Sequence, residues 1–154
     1  MAGRAWRHIG NGRWCALSGH IEDAETIVQV GDLELLVRDG DMQAPAVARQ
    51  FVGEWFRDRG FEDAYTAQII VSELVTNALL HGEPPIVVRM MRDESDGRPV
   101  IEVEDSGVKV PCVQPESDTA ISGRGLLLVA ALAEEWGTDP LDGGGKVTWA
   151  KCAP

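Results

Sequence analysis

The sequence predicts a two-layer α+β sandwich, in which a mixed, mostly antiparallel sheet carries its helices on one face. Apolar residues recur at helical spacing in three segments, and four short runs have the composition of strands. These segments follow the order strand, two helices, two strands, helix and at least one further strand. Helices and strands in this order bury one sheet face beneath the helices. A chain of 154 residues is long enough for one such core.

The first strand and helix are predicted to follow an N-terminal extension over residues 1–31, in which Gly, Arg and Trp are scattered without a firm period. The domain then spans 32–154. LELLV, directly after Asp32, predicts a short strand, and AVARQFVGEWF predicts a helix that Gly60 ends. The helical spacing comes from Val47, Phe51, Val52, Trp55 and Phe56.

A second helix and a hairpin form the centre of the predicted domain. The helix runs from about Asp63 to Leu80, where Gly82 and the prolines after it stop it. Its apolar residues cover more than one face, which predicts a buried, central helix. IVVRMMR and PVIEVED, joined by turn residues 94–98, then predict an antiparallel hairpin.

The last part of the chain begins with a loop over residues 106–122, which has no usable period and is our candidate for a lid. GRGLLLVAALAEEWG, at 123–137, predicts a third helix. A turn of three glycines and the strand KVTWAKC close the domain.

Charge and composition exclude several classes of function. The chain has 25 Asp and Glu against 14 Lys and Arg, a net charge of -11, which repels a nucleic-acid backbone and favours a basic protein partner. No apolar stretch is long enough for a membrane helix, and the N-terminus lacks a secretion signal. Cys15, Cys112 and Cys152 are too widely spaced for a metal or redox pair. We therefore expect a cytoplasmic protein with reduced thiols.

A file of three polar residues interrupts the second helix. Glu73, Asn77 and His81 are four residues apart, which places them on one stripe. The stripe can simply face solvent, but the apolar residues on the other sides favour a stripe that lines a cavity. A neutral Asn oxygen suits Mg²⁺, and a Glu near a phosphate chain can accept a proton from an attacking hydroxyl. Asn77 is therefore a candidate metal ligand, Glu73 a candidate base, and His81 a structural group.

Asp105 ends the second strand of the predicted hairpin. It shares a strand face with Ile101 and Val103, and these apolar residues predict that the face meets the helices. A buried carboxylate is costly without hydrogen-bond donors, so something must donate to Asp105. The alternative is that the strand ends one residue earlier and that Asp105 begins a turn with Gly107.

Gly123-Arg124-Gly125 directly precedes the third predicted helix. The first-turn amides of a helix have no partners inside it, so they offer N–H donors and a positive dipole to phosphate. The glycines permit a close approach. Alternatively, the two glycines serve only the passage from loop to helix.

The order of these three segments is more specific than any one of them. ELVTNALLHG, VIEVEDSG and SGRGLLLV resemble, in that order, the N, G1 and G2 boxes of the GHKL superfamily of histidine-kinase-like ATPases. Within it, the chain is most similar to the small single-domain bacterial anti-sigma-factor serine/threonine kinases. The resemblance covers about residues 32–152, where GGGKVTWA is similar to the last strand of that family. It implies the Bergerat ATP-binding fold.

The resemblance also implies ATP and Mg²⁺ as cofactors and gives the residues their roles. Asp105 would accept a hydrogen bond from the adenine amino group, and Gly107 would let the backbone approach the base. Asn77 would bind Mg²⁺ between phosphates, with Glu73 as the catalytic base. The other implied nucleotide-binding residues are Gly123, Arg124, Gly125 and Leu126 at the phosphates and Thr148 near the base.

The implied function is an ATP-dependent serine/threonine kinase that phosphorylates an antagonist protein and otherwise holds a sigma factor away from RNA polymerase. Its partners would be that sigma factor, the antagonist, or both. A homodimer would form through the outer sheet face, where we expect Arg89, Glu102 and Glu104 to be exposed. The G1 box lacks the second glycine of the fuller D-x-G-x-G pattern. This departure favours an alternative, a nucleotide-responsive protein-binding module with little or no kinase activity.

Overall fold

The described part of the chain is an eight-stranded, three-helix arrangement. The computed structural model describes residues 6–10, 13–16, 27–29, 34–37, 42–108 and 124–154, the first three ranges as backbone only. Its elements are β1 (Trp6–Gly10), β2 (Arg13–Ala16), β3 (Ile27–Gln29), β4 (Glu34–Val37), α1 (Ala44–Asp58), α2 (Ala64–His81), β5 (Ile86–Arg92), β6 (Pro99–Asp105), α3 (Arg124–Leu132), β7 (Glu135–Pro140) and β8 (Lys146–Lys151).

Six of these strands form one sheet in the order β3-β4-β5-β6-β8-β7, and all neighbouring strands in it are antiparallel. Within the described ranges, β1 and β2 form a separate two-stranded sheet. The strand β3 lies inside the extension predicted over residues 1–31, so the sheet begins before residue 32. The domain boundary at residue 32 stays a prediction.

All three helices lie on one face of this sheet, as predicted. Helix α2 packs on β5 and β6, α1 on β4, β5 and α2, and α3 against α2 and β7. Phe56, Leu74 and Ile101 are among the largest fully buried side chains between the layers. Full burial of such a side chain stabilises the fold by about 1.5–3 kcal/mol. The predicted hairpin is confirmed as β5 and β6.

Helices α1 and α2 end where the sequence predicts. Gly60 follows α1 with φ of 72°, a left-handed conformation that ends a helix at little cost for glycine. The Asp63 side chain caps α2 by accepting a hydrogen bond from the Thr66 amide at 3.1 Å. At the other end, the Gly82 amide donates to the Ala78 carbonyl at 2.9 Å. The residues after Gly82 leave the helix toward β5.

The third helix is shorter than predicted. It ends at Leu132 instead of continuing to Gly137, and Glu135–Pro140 forms the edge strand β7. The amide of Glu134 donates to the carbonyl of Lys151 at 2.9 Å, which begins the pairing with β8. The Ala and Glu residues after Leu132 favour a helix locally, but the chain forms a strand there, because hydrogen bonding to β8 outweighs a small helix propensity.

One expectation about the outer sheet face is wrong. Of the three residues expected to be exposed, Arg89 is 4% exposed, and Glu102 and Glu104 are half-buried. Arg89 Nε donates to Glu34 at 2.9 Å and its Nη1 donates to Glu104 at 2.7 Å. The reason is its position, since it lies on β5, which has β4 and β6 on either side and buried residues facing both ways. The predicted homodimer is not tested by this burial and stays a prediction.

Glu102 lies between Arg89 and Trp149 in one row of the same outer face. Burial raises the pKa of this carboxyl to about 7, the negative charges of Glu104 and Asp139 add to the effect, and Arg89 opposes it. The Trp149 ring lies over Gly137, where a Cβ would come within 2.9 Å of it. The row is packed without a side chain at Gly137.

Candidate functional site

Helix α2 carries the predicted polar file. Glu73 and Asn77 are half-buried and one turn apart, and His81 is exposed at the end of the helix. The hydrophobic side chains on the other sides of α2 form its buried surface, including Leu74, Val75 and Ala78. Glu73 and Asn77 therefore belong neither to the core nor to the fully exposed surface, as expected for groups beside a cleft.

Asp105 lies on the inner sheet face at the end of β6, as predicted, and it is almost completely buried. Lys146, its partner residue on β8, donates from Nζ to Asp105 Oδ1 at 2.9 Å. The side chains of Asp105 and Lys146 are 3% and 4% exposed. The Gly107 amide donates to the same oxygen at 2.8 Å. The strand continues through Asp105, so the alternative in which it ends one residue earlier is wrong.

The protein itself therefore supplies two of the donors that a buried Asp105 was expected to need. The sequence reasoning missed Lys146 because the register of the last strand decides which residue meets Asp105. A usable signal was present, since Lys146 is two residues from Thr148 and shares its strand face.

Backbone surrounds the Asp105 carboxylate closely. A Cβ on Gly82 would lie 2.5 Å from Asp105 Cγ, and one on Gly107 would lie 2.9 Å from Oδ1. A Cβ on Gly145, which precedes β8, would lie 2.5 Å from the Asp105 carbonyl oxygen. We call Asp105, Lys146, Gly107 and Gly82 the carboxylate end of the site. The glycines let two turns approach the charged group, and side chains there would fill the space.

The second group, which we call the helix end, consists of Glu73, Asn77 and Gly125. A Cβ on Gly125 would lie 2.6 Å from Glu73 Oε2, so the missing side chain lets this carboxylate reach the first turn of α3. The exposed free amides and dipole of a helix N-terminus favour such a negative charge. The predicted neighbourhood of the N-box and G2-box segments is thus present in the fold.

The remaining predicted residues differ in their surroundings. Arg124 is exposed, and Leu126 is buried in the core. Thr148 is buried opposite Val103, and its hydroxyl lies 3.2 Å from that of Thr138. Gly123 and most of the loop predicted as a lid lie outside the described residues. The nucleotide-binding roles of all these residues stay predictions.

The two ends lie along one helix. Asp105 approaches Gly82, the residue directly after α2, and Gly125 of α3 approaches Glu73, nine positions earlier. At 1.5 Å per residue the two contacts are about 13 Å apart along the helix axis, with Asn77 between them. An elongated ligand can reach from one end to the other.

The donor set decides how a metal would be held. In the described ranges, no group of three or more His, Cys, Asp or Glu side chains could hold a metal ion. Asn77 alone therefore forms no protein-only site. Mg²⁺ commonly keeps waters and takes phosphate oxygens as ligands, so Asn77 fits a metal that arrives with a nucleotide. The glycine-lined carboxylate likewise fits a flat donor such as a nucleobase.

Comparison with known proteins agrees with this geometry. The model of the histidine kinase-like ATPase domain family matches residues 39–151, which is more than half of the chain. The chain belongs to this family. The match contains both ends of the site and lies within the domain predicted over 32–154. No curated protein matches this ATPase domain.

One solved structure similar to the ATPase domain is the histidine kinase domain from the Erythrobacter litoralis EL346 blue-light activated histidine kinase. The two are 19% identical, with a TM-score of 0.43, and the alignment covers 85% of this chain and 69% of that one. Within the part of the chain that the structure describes, no helix combines the length and the apolar character needed to cross a bilayer.

Proposed function

We propose that this ATPase domain binds ATP with Mg²⁺ and transfers the terminal phosphoryl group to a Ser or Thr of a protein partner. The partner would be an antagonist protein, and this chain would otherwise hold a sigma factor away from RNA polymerase. The family supports ATP binding, and the serine/threonine specificity is our own extension of it.

The observation that carries the proposal is the position of both ends along α2. A buried carboxylate acceptor stands at one end, and a second carboxylate beside a helix N-terminus stands about 13 Å away along the axis. A nucleoside triphosphate has the matching sequence of groups, an amino-bearing base, a ribose and a phosphate chain. Asn77, between the ends, offers its oxygen where the phosphates would pass.

Each group of the chain then has one task. Asp105 Oδ2 would accept from the base amino group, and the first-turn amides of α3 would bind phosphate oxygens. The ATP supplies an activated phosphoryl group, and transfer depends mainly on positioning and on neutralising charge. The Glu73 carboxylate would take the proton of the attacking hydroxyl while that oxygen bonds to phosphorus and ADP leaves.

The charge of the chain supports a protein partner. Its net charge of -11 disfavours binding to nucleic acid and favours a partner with a basic surface. We expect the complex to weaken as salt is added, because screening shortens the reach of such charges.

The test is phosphorylation of candidate antagonist proteins with labelled ATP, using wild type, Glu73→Ala and Glu62→Ala. Glu62 is an exposed carboxylate just before α2 and serves as the control for lost charge. Glu73→Ala is expected to slow phosphorylation by about 10²–10⁴-fold, the usual contribution of a general base. Calorimetry should find the affinity for ATP nearly unchanged, because Glu73 is assigned to phosphoryl transfer and not to binding of the adenine base.

Two results would contradict the proposal. Phosphorylation at the parent rate by Glu73→Ala would show that the base is another group. If wild type does not bind ATP, with or without Mg²⁺, the assignment of this site to a nucleotide is wrong.

A second function is favoured by the incomplete G1 box, in which Val108 and Lys109 follow Gly107 where the fuller pattern has a second glycine. In this alternative the chain binds nucleotide and responds to it by changing its affinity for a protein partner. Binding of ATP without any phosphorylated product, together with a partner affinity that depends on ATP, would favour this function over the kinase.

A further inference from the structure

The outer sheet face, the side of β4 to β8 that is turned away from the three helices, is more buried than an open sheet face. Val87 and Arg89 lie on it, opposite Glu104 and Glu102, and they are only 5% and 4% exposed. A sheet with one open face has buried and exposed residues in alternation, whereas β5 is buried on both sides from Ile86 through Met90. The helices cover only the inner face, so this burial needs a second cover.

The charges of the outer face indicate what kind of cover would fit. Glu102 lies near its centre, where burial raises the pKa of the carboxyl to about 7. Trp149 and Val87 add apolar surface beside it. The strand register places two cations on this face, Arg89 and Lys151, and five carboxylates, those of Glu34, Glu102, Glu104, Glu135 and Asp139. A complementary cover is therefore basic and carries apolar side chains.

The first 20 residues of the chain have this composition. They include Arg4, Arg7 and Arg13 but no Asp or Glu, which gives them a formal charge of +3. The other 134 residues hold 11 Lys and Arg against 25 Asp and Glu, a net charge of -14. The same short segment also carries Trp6 and Trp14. Charge and apolar content thus both match the outer face.

The strands of this segment also need a packing partner. The strands β1 and β2 form a two-stranded sheet apart from the six-stranded one. An isolated hairpin of two strands is marginally stable at best in water, and packing against another layer stabilises it. Two sheets that pack face to face lie about 10 Å apart, so the outer face of a larger sheet is a suitable second layer.

The chain between the two sheets is long enough for this packing. Ten residues, 17–26, connect the end of β2 to the start of β3. Ten residues can span up to about 33–36 Å. From β3 to β8 there are four strand spacings, or about 19 Å. The connection can therefore place the hairpin over the centre of the outer face.

We propose that residues 1–20 dock on the outer sheet face of their own chain, with their arginines against its carboxylates. The segment then closes the second side of the sheet, which the helices leave open. A homodimer through the outer face would first require release of this segment. The inference does not involve the nucleotide and goes beyond the proposed function.

The experiment is zero-length cross-linking with a carbodiimide, which joins an amine to a carboxylate in direct contact. The full-length variant Arg7→Lys with Arg13→Lys keeps the charge of the segment and adds two amines to it. The background is low, because the chain has three lysines of its own, Lys109, Lys146 and Lys151. Arg57→Lys is the matched control, since Arg57 is exposed on α1 in the helix layer.

Mass spectrometry identifies the joined peptides in an equal mixture of ordinary and heavy-isotope-labelled protein. We expect links from position 7 or 13 to Glu34, Glu102 or Glu104, each within peptides of a single isotope. Arg57→Lys should give no link to these carboxylates. Links only to the helix layer, or no link at all, would refute the docking. Links only between light and heavy chains would refute it too, because the cover would then come from a second copy.

A second measurement needs no added amine in the chain. Carboxylates are labelled with a carbodiimide and a small soluble amine, in wild type and in the variant Arg4→Glu, Arg7→Glu, Arg13→Glu. Reversing the charge of the segment should release it, so the labelling rates of Glu102 and Glu104 should rise several-fold. The rate of the exposed Glu62 should stay the same. Unchanged rates at all three carboxylates in a folded variant would overturn the proposal.

Circular dichroism checks that each variant is folded, and the cross-linking decides by itself if the reversed variant is not. Both measurements are made without nucleotide. A negative result therefore refutes the docking and leaves the proposed function standing, whereas a failure to bind ATP would leave the docking untouched.

Discussion

The two ends of the site are built in different ways. At the carboxylate end, Asp105 is buried, has two donors on one oxygen and is enclosed by backbone. At the helix end, Glu73 and Asn77 are half-buried, and no hydrogen bond from a described residue holds either side chain. Glu73 and Gly125 bring α2 and α3 into contact, and among the described residues no ion pair joins the two helices there.

The difference follows from the elements that form each end. Neighbouring strands share a fixed register, so Asp105 and Lys146 are brought together by the same hydrogen bonds that build the sheet. Helices α2 and α3 share no such register, and at Gly125 the contact is made by the flexible end of the Glu73 side chain, so it can shift at smaller cost. We therefore expect the adenine base to bind a preformed acceptor at the carboxylate end. The phosphates and Mg²⁺ are expected to order the helix end when they bind.

The largest expected effect tests how firmly the carboxylate end is built. Asp105→Ala leaves the Lys146 ammonium buried without its partner, which should lower the free energy of unfolding by about 3–5 kcal/mol. Urea denaturation measures it. The double variant Asp105→Ala with Lys146→Met should recover much of the stability, but neither protein should bind ATP. A loss below about 1 kcal/mol in the single variant, a value typical of exposed pairs, would contradict a rigid carboxylate end.

A pair of glycine variants compares the two ends directly. Gly82→Ala brings a Cβ within 2.5 Å of Asp105 Cγ and 2.7 Å of the Ala78 carbonyl, and backbone cannot move away easily. We expect a loss of about 3 kcal/mol, at the upper part of the usual range for overpacking. Gly125→Ala meets the far end of the Glu73 side chain, which can turn aside.

The Gly125→Ala protein should therefore unfold within about 0.5 kcal/mol of wild type. Thermal and urea unfolding of both proteins, side by side, measure the contrast. Equal losses at the two glycines would mean that the helix end is as rigid as the carboxylate end.

A third test concerns a buried carboxyl group outside the site, and it asks whether such groups on the outer sheet face also affect ATP binding. Glu102, on the outer face, has a pKa raised from 4.5 to about 7 by burial. The folded protein keeps this proton up to about pH 7, whereas the unfolded chain releases it near 4.5. The contribution of Glu102 to stability is therefore lost as pH rises between these values, and the full penalty applies above them.

Glu102→Gln should accordingly raise the free energy of unfolding by about 2 kcal/mol near pH 8, with little change near pH 4. Urea denaturation at both pH values measures the gain, and ATP affinity should stay constant. Asp142→Asn, at an exposed carboxylate, is the control. An equal gain at both pH values would show that charge is not the cause.

The smallest expected effect concerns the helix end. In the presence of Mg²⁺, Asn77→Ala should lower the affinity for ATP about tenfold, or by about 1.4 kcal/mol. Without Mg²⁺, the affinity for ATP should be unchanged. Stability should change little, since Asn77 is half-buried and not held by described neighbours. Calorimetric titrations with and without Mg²⁺ measure it. An unchanged response to Mg²⁺ would assign the metal to other groups.

Much of the fold could be predicted because the strongest patterns were local. The alternation of Ile101 and Val103 placed Asp105 on the inner face, and the four-residue spacing placed Glu73 and Asn77 on one stripe. Neither statement needs a distant neighbour. The helix predicted through residue 137 failed where Trp136 and its neighbours pair with the last strand, because local propensity there favoured helix.

The sequence by itself determined the layers, the inner face of β6 and the order of the segments that meet at the site. Only the tertiary structure decided which residue donates a hydrogen bond to Asp105 and how deeply Arg89 is buried. Register and layer contacts join residues far apart in the chain, such as Asp105 with Lys146, and a shift of one residue would turn each side chain to the opposite face. No periodicity within a single segment carries that information.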